Sequence, residues 1–291
     1  MATVSLYLGL GSCGNAAVSI LEGNKTLTLI GAGTMGEAIL RGILRAGKLS
    51  PSQVLASDLR ADALADLAKR HGIRTTTDNL EAARAATVAL VCVKPHQVGA
   101  VLNTDAMREA LSGKVVISIA AGVRLQQLAH WLPASALIRA MPNTPALIGE
   151  GMTALSRGKG TNDAAMTLAL ELFASVGRST EIDESQMDVV TALSGSGPAF
   201  AFLVLESLAD GAVKMGLRRD LALSMAAQML QGSARMVLQT GTHPAVLKDQ
   251  VTTPGGCTIA GLSKMEEGRV RYALASGVEE ATRVASKLGQ T

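Results

Sequence analysis

The sequence predicts an α/β chain, with a doubly wound parallel sheet in its first half and an all-helical domain after it. Three observations predict this. Short apolar runs alternate with helix-like segments from Thr26 to about Pro142, the mark of consecutive β-α-β units. The first run closes in Gly31-Ala32-Gly33-Thr34-Met35-Gly36 and opens a helix, the context in which G-x-G-x-x-G makes a dinucleotide-binding turn. Past about Glu184 the strand-like runs stop and long helical ones take over.

Taken in order, LTLIGAG (Leu27–Gly33) is a buried strand ending in glycines, and Thr34–Ala46 is its helix. QVLASD is a second strand, followed by a helix over Ala61–His71. Ile73–Thr75 is a short strand, Asn79–Ala85 a helix, and Val88–Val93 a central strand closed by Lys94-Pro95. Lys114–Ala120 and Ala136–Pro142 are strands with a helix, Leu125–Trp131, between them. In the second half, Gly197–Met215 carries Pro198 in its first turn and is apolar on most sides. Such a helix is expected to be buried, against its own chain and against a partner subunit. Asp220–Gln239, Cys257–Glu267 and Arg269–Leu288 complete the helical part. The expected domains are residues 25–184 and 185–291. Residues 1–24 contain a second pattern, Gly9-x-Gly11-x-x-Gly14. Its helix is too short for a crossover to a parallel strand, so this segment reads as an appended leader.

Composition narrows the function classes. Only 2% of residues are aromatic, which argues against a protein that stacks bases. The net charge is +3 and no basic run exceeds two residues, so no nucleic-acid patch is expected. Three cysteines without CxxC spacing point to a disulfide-free, cytoplasmic chain and to no metal site. Cys92, inside VALVCV, reads as a small core residue. No apolar run is expected to span a membrane. The absence of a basic residue before Lys25 argues against a secretory signal.

Several residues carry chemistry. Gly31 allows the tight turn, Gly33 lets a pyrophosphate approach, and Gly36 lets helix pack on strand. Asp58, at the end of the second strand, stands where an acid bonds a ribose 2′-OH and favours NADH. Arg60, two residues on, suits the 2′-phosphate of NADPH, and the choice between them stays open. Lys94 and His96 lie at the carboxyl edge of the central strand, with His96 read first as a solvent-facing loop residue. Ser118–Gly122 ends another strand in small residues that leave room for a nicotinamide ring. Arg139-Ala-Met-Pro-Asn-Thr-Pro145 makes a rigid loop over the same edge. Two stretches, Leu193–Phe200 (LSGSGPAF) and Val251–Glu267 (VTTPGGCTIAGLSKMEE), read as helix entrances rich in glycine and hydroxyls. Free first-turn N–H groups there suit a small carboxylate. A dinucleotide turn together with a small-acid site suggests a reductase of a small acid.

The motifs GAGTMGEAI, CVKPHQV, SIAAGV, RAMPNTPA, LSGSGPAF and VTTPGGCTI…LSKMEE, in this order, resemble those of the pyrroline-5-carboxylate reductase family. The resemblance covers about Leu27 to Leu288, and the last two motifs are the specific ones. It implies a Rossmann-like domain followed by a helical dimerisation domain of the 6-phosphogluconate dehydrogenase C-terminal type. It implies homodimers joined into rings, a decamer of dimers among them. It implies reduction of 1-pyrroline-5-carboxylate to L-proline by NADPH or NADH, the last step of proline synthesis. Carried over, the cofactor contacts are Ile30, Gly31, Ala32, Gly33, Thr34 and Met35, with Asn79, Cys92, Val93, Lys94, Pro95, Ile119, Ala120 and Ala121. The substrate contacts are Ser194, Gly195 and Ser196, with Thr253, Gly255, Gly256 and Cys257, while Thr258 meets the imine nitrogen. Family members usually carry a small polar residue where Asp58 stands, so Asp58 is a departure.

The chemistry agrees with what the chain lacks. A ring imine is protonated in water and then accepts hydride readily, so positioning matters more than a strong acid. Oxidation of an alcohol must move a hydroxyl proton, and the helix entrance Ser196–Leu205 holds no lysine to take it. The alternative reading is an imine or 3-hydroxyacid reductase of the same architecture acting on another small carboxylate. A cofactor-sensing regulator and, because no GK[ST] follows the glycines, a phosphate-binding loop are weaker.

Overall fold

A computed structural model describes residues 6–7, 21, 23 and 25–288. The second glycine pattern, at residues 9–14, lies outside them. The strands are β1 (Leu6–Tyr7), β2 (Leu27–Ile30), β3 (Val54–Ser57), β4 (Arg74–Thr76), β5 (Val88–Val91), β6 (Val115–Ser118), β7 (Ala136–Met141), β8 (Gly151–Arg157) and β9 (Gly177–Glu181). The first eight helices are α1 (Thr34–Arg45), α2 (Ala61–His71), α3 (Asn79–Ala85), α4 (Pro95–Leu102), α5 (Asp105–Ala110), α6 (Leu125–Trp131), α7 (Asp163–Ala174) and α8 (Met187–Val190). There follow α9 (Gly197–Lys214), α10 (Arg219–Thr240), α11 (Pro244–Gln250), α12 (Cys257–Glu267) and α13 (Val270–Leu288). The chain divides into two compact units, one reaching to Gly195 and taking up the chain again from Ala281, the other Ser196–Glu280.

The first unit is built on one sheet of order β1-β9-β8-β7-β6-β5-β2-β3-β4. From β4 to β7 every pairing is parallel, and the direction of winding reverses between β2 and β5, the switch point where such folds bind ligands. Strands β2, β3 and β5 are buried at every position because the crossover helices cover both faces. Leu27, Leu29, Val88 and Leu90 face one layer, packed with Ile39, Leu40 and Ile43 of α1, Leu64 and Leu67 of α2, and Phe173 of α7. Ile30, Ala89 and Val91 face the other, with Val98 and Leu102 of α4 and Leu128 of α6. Local signals set the helix ends: α2 stops at Gly72, whose φ of 67° makes a left-handed cap, and α3 starts where Asp78 Oδ1 accepts the Leu80 N–H at 2.8 Å.

The expectation of a parallel sheet holds for this part and fails at its margin. Strand β8 runs antiparallel to β7, and β1 antiparallel to β9. The link Pro142–Glu150 is shorter than the dozen or so residues a parallel crossover needs. Strand β9 then lies parallel to β8 after crossing over through α7. The sequence reading had assigned no element between Gly151 and Glu181. Close approach fastens this extension to α1. A Cβ on Gly42 of α1 would stand 2.2 Å from Val176 Cγ1 and 2.9 Å from the Ser175 carbonyl oxygen, so only glycine fits.

The second unit is helical, with α9 and α10 packed on each other. Its only well-buried side chains are small, Ala209, Ala222 and Ala226. Phe202 and Leu203 of α9 are 65% and 63% exposed, so the expected burial of this helix is not met within one chain. The expectation about apolar length also needs correction. The helical run Glu184–Lys214 is long and apolar enough, by length and composition, to cross a membrane, with a mean hydropathy of 1.5 over an 18-residue stretch of it. Sequence reading took Leu193–Phe200 as a helix entrance leading into Gly197–Met215, whereas a π turn at Thr191–Gly195 follows α8 and precedes α9.

Candidate active site

The strand registers bring one set of loops together. Ser57, Ile30, Val91, Ser118 and Arg139 stand in a single row across β3, β2, β5, β6 and β7. The loops leaving that row hold the glycine turn, Asp58–Arg60, Cys92–Pro95, Ile119–Ala121 and the Pro142–Thr144 corner.

The three glycines meet three different demands. Gly31 has φ 94°, and a Cβ there would stand 2.9 Å from both Val93 N and Val93 Cγ1. Its N–H donates to the Ser57 carbonyl at 2.8 Å. Gly33, the N-cap of α1, has φ −75° and no side-chain cap, and a Cβ there would meet nothing within 4 Å. That open space lies over the unpaired first-turn N–H groups of α1, which suit a pyrophosphate. Gly36 presses on β5: a Cβ would be 3.0 Å from the Gly31 oxygen and 3.2 Å from Cys92 Cβ. The residues present therefore fit a dinucleotide. Ala32 is buried, Met35 half-buried and Thr34 exposed.

Asp58 and Arg60, left as rivals by the sequence, are partners. Asp58 Oδ2 accepts the Ala32 N–H at 3.0 Å and Arg60 Nη2 at 3.4 Å, while Oδ1 accepts Arg60 N and Nε, both at 3.1 Å. Partial burial pushes the Asp58 carboxyl up. The hydrogen bonds from the Arg60 side chain, the Arg60 N–H and the Ala32 N–H outweigh it and hold the group below its ordinary value. The same pairing raises Arg60. Arg60 also borders a cavity of about 450 Å³ lined by Gly33, Thr34, Glu37, Arg41, Arg70 and Leu147, among others.

Around the rest of the edge, Asn79 Oδ1 accepts the buried Ser57 hydroxyl at 2.8 Å. Cys92 is unpaired, and burial pushes its thiol far above the ordinary range, which makes it an inert packing residue. Val93 packs against Gly31. Lys94 is the exposed N-cap of α4, with Pro95 and His96 exposed in the first turn. Ile119 N donates to the Val91 carbonyl at 3.1 Å and Ala120 N to Ser118 Oγ at 3.3 Å. With half-buried Ala121 they turn the chain towards Gly122, whose φ is 80°.

The first expected entrance, Leu193–Phe200, is reached through helix and not from a loop. Ser194 and Gly195 close the π turn and Ser196 caps α9. π turns recur at functional sites. A Cβ on Gly195 would lie 2.5 Å from Met141 Cε, the movable end of a flexible side chain. Asn143, which the sequence marked only as part of a rigid loop, donates Nδ2 to the Ser194 carbonyl at 3.2 Å and to Ser194 Oγ at 3.3 Å. Buried Arg139 meets Glu184 Oε1 at 3.1 Å, and the same oxygen accepts the Leu125 N–H at 2.7 Å. Neither anchor showed in the sequence, since the partners are far apart in the chain.

The second entrance is a true loop-to-helix start. The Gly256 N–H donates to the Thr253 carbonyl at 3.1 Å. Gly255, with φ 68°, follows Pro254 as the third residue of the turn, the pattern of type II. A Cβ on Gly256 would stand 2.4 Å from Thr253 Oγ1. Cys257 is exposed at the first position of α12, and half-buried Thr258 follows in the first turn.

Comparison with known proteins decides the family. Residues 184–288 match the model for pyrroline-5-carboxylate reductase dimerisation, and residues 26–122 match that for NADP oxidoreductase, coenzyme F420-dependent. The pyrroline-5-carboxylate reductase of Methanosarcina acetivorans is 42% identical over 92% of this chain and 99% of its own. The chain belongs to the pyrroline-5-carboxylate reductase family. The family member from Arabidopsis thaliana is 40% identical over 90% of this chain and 95% of its own. Among solved structures of the family, that from Coxiella burnetii matches with a TM-score of 0.87 at 33% identity, covering 92% of this chain and all of that one. The Plasmodium falciparum enzyme, solved with NADP bound, matches at 0.82 and 32%, covering 91% and 98%. The fold is thus a Rossmann-like domain followed by the family's dimerisation module.

Proposed function

We propose that the protein reduces 1-pyrroline-5-carboxylate to L-proline with NADPH, the last step of proline synthesis. The observation that carries this reading is near full-length identity of 42% to a reductase of that name. The open cradle at Gly33 and the second entrance at Thr253–Thr258 support it.

The bound nicotinamide supplies a hydride. This chain's residues position the reaction. The first-turn N–H groups of α1 and the Gly31–Gly33 turn hold the pyrophosphate. Arg60, braced by Asp58, meets the 2′-phosphate, and Ile119–Ala121 leave room for the ring. On the substrate side, Ser194–Ser196 and the Thr253–Cys257 turn hold the carboxylate, and the Thr258 hydroxyl bonds the ring nitrogen. Hydride adds to the imine carbon, the C=N π pair moves to nitrogen, and the proton already on nitrogen stays there. No side chain has to exchange a proton in the hydride step, so orientation supplies most of the acceleration.

In this reading residues 25–184 bind cofactor, and residues 185–291 bind substrate and pair subunits. The exposed apolar faces of α9 and α10 support a homodimer, with a ring of dimers as the larger assembly. The free thiols of Cys92 and Cys257 suit a cytoplasmic setting. The test is oxidation of NADPH and of NADH with 1-pyrroline-5-carboxylate, with proline counted as product. Stoichiometric proline with NADPH preferred is expected; no proline with either refutes the reading. Thr258→Ala is expected to lower turnover while leaving NADP+ affinity within about twofold, since its hydroxyl meets substrate only.

A further inference from the structure

Ser194 and Asn143 form a unit with a definite polarity. The Asn143 amide is oriented without ambiguity. Its Oδ1 accepts the Met152 N–H at 2.9 Å, and a backbone N–H can only donate. The NH2 end therefore faces Ser194, donating to its carbonyl and to its hydroxyl oxygen. A hydroxyl that accepts in this way keeps its own proton for another acceptor. Among the described residues Ser194 Oγ meets no acceptor. An ordinary helical serine donates to a carbonyl one turn back, as Ser207 does to Leu203 and Ser263 to Ile259 in this chain. Ser194 does not, since the π turn displaces its backbone and Asn143 holds it.

We propose that Asn143 is a positioning residue that holds the Ser194 hydroxyl with its proton free to donate to a ligand group that only accepts. A carboxylate is such a group. The inference rests on the function proposed above and assigns the substrate's carboxylate to Ser194 Oγ, with Asn143 acting through it and touching no reactant. The rigidity of the corner serves this. Pro142 and Pro145 flank Asn143 and the Met152 N–H fixes its far end, so Asn143 is held at the end of β7.

The test is a double-mutant cycle with 1-pyrroline-5-carboxylate as the varied substrate and saturating NADPH. Ser194→Ala removes only the hydroxyl, and it is expected to raise KM about tenfold or more, the scale of one lost charge-assisted hydrogen bond. kcat should stay within about threefold. Asn143→Ala should give a similar rise in KM. The double variant should be no worse than Ser194→Ala, because one variant has already removed what the other acts through. NADP+ affinity, measured by titration, should be unchanged in all three. Additive effects of the two substitutions, or an unchanged KM in Ser194→Ala, overturn the proposal. If Asn143→Ala fails to fold, Asn143→Asp takes its place in the cycle, since it keeps an acceptor for the Met152 N–H and loses the donor to Ser194. An unmodified protein that makes no proline refutes the proposed function, which is a different outcome from additive variants of an active one.

Discussion

Gly31 and Gly33 stand two residues apart in one motif, yet the structure assigns them opposite sensitivities. Gly31→Ala forces a side chain to φ 94° and sets a Cβ 2.9 Å from Val93 N and 3.0 Å from the Cys92 carbonyl carbon. Both of those are backbone atoms in the central strand's continuation and cannot swing aside. The backbone strain costs about 1–3 kcal/mol and the overpacking about 1–3 kcal/mol more. The expected loss is therefore roughly 2–6 kcal/mol, or on the order of 5–15 °C in the unfolding midpoint. Gly33→Ala meets no atom within 4 Å and keeps an ordinary φ of −75°. Its cost is about half a kcal/mol, from replacing glycine at a helix N-cap. The methyl group instead fills the space proposed above for a pyrophosphate over α1. NADP+ affinity should fall roughly tenfold or more, which is about 1.4 kcal/mol or more. Thermal unfolding without ligand, paired with NADP+ titration, separates the two. A Gly33→Ala protein as unstable as Gly31→Ala would refute the assignment of open space. One that binds NADP+ normally would refute the cradle.

Other expected outcomes concern the rest of the site. Arg60→Ala should weaken NADP+ binding while sparing or improving NAD+, because it frees the Asp58 carboxylate; equal losses for both would show that Arg60 does not read the 2′-phosphate. Asp58 has a carboxyl held below its ordinary 3.8, so its contribution to stability is present above that value and is lost as pH falls through the lowered one. Acid unfolding curves of the unmodified protein and Asp58→Asn should converge at low pH and separate above about pH 4, where the unfolded carboxyl ionises. Curves that stay parallel would contradict this. Phe202→Asp, on the exposed face of α9, should shift the protein to monomers in light scattering, and an unchanged mass would place the subunit contact elsewhere.

What the sequence revealed depends on how local the cause is. Ala61–His71, Asn79–Ala85 and Leu125–Trp131 begin and end as read, because Gly72 and Asp78 act within a few residues. The glycine turn was legible for the same reason. Strands β8 and β9 were not. GRSTE carries almost no apolar signal, and it is a strand because Leu155 and Gly151 pair with it and Arg157 binds Glu181. The π turn before the first entrance was not read, because the residue that anchors it, Asn143, is far off in the chain. Asp58 and Arg60 were both recognised, but their rivalry dissolves only when the carboxylate is seen to hold the guanidinium and the Ala32 N–H together.

Helix α13 begins in the second unit and ends in the first, where Arg124 reaches the Ser286 carbonyl at 3.3 Å and Gly122 leaves room only for the backbone and Cβ of Leu288. The first unit therefore cannot complete itself during synthesis until residues 281–288 have left the ribosome, after the whole helical unit has emerged. Nascent chains halted at Glu280 would hold a sheet with its nucleotide loops but without the brace behind Gly122. Trimming a few residues from the end of α13, which looks like pruning the helical unit, would instead loosen the loop that follows β6.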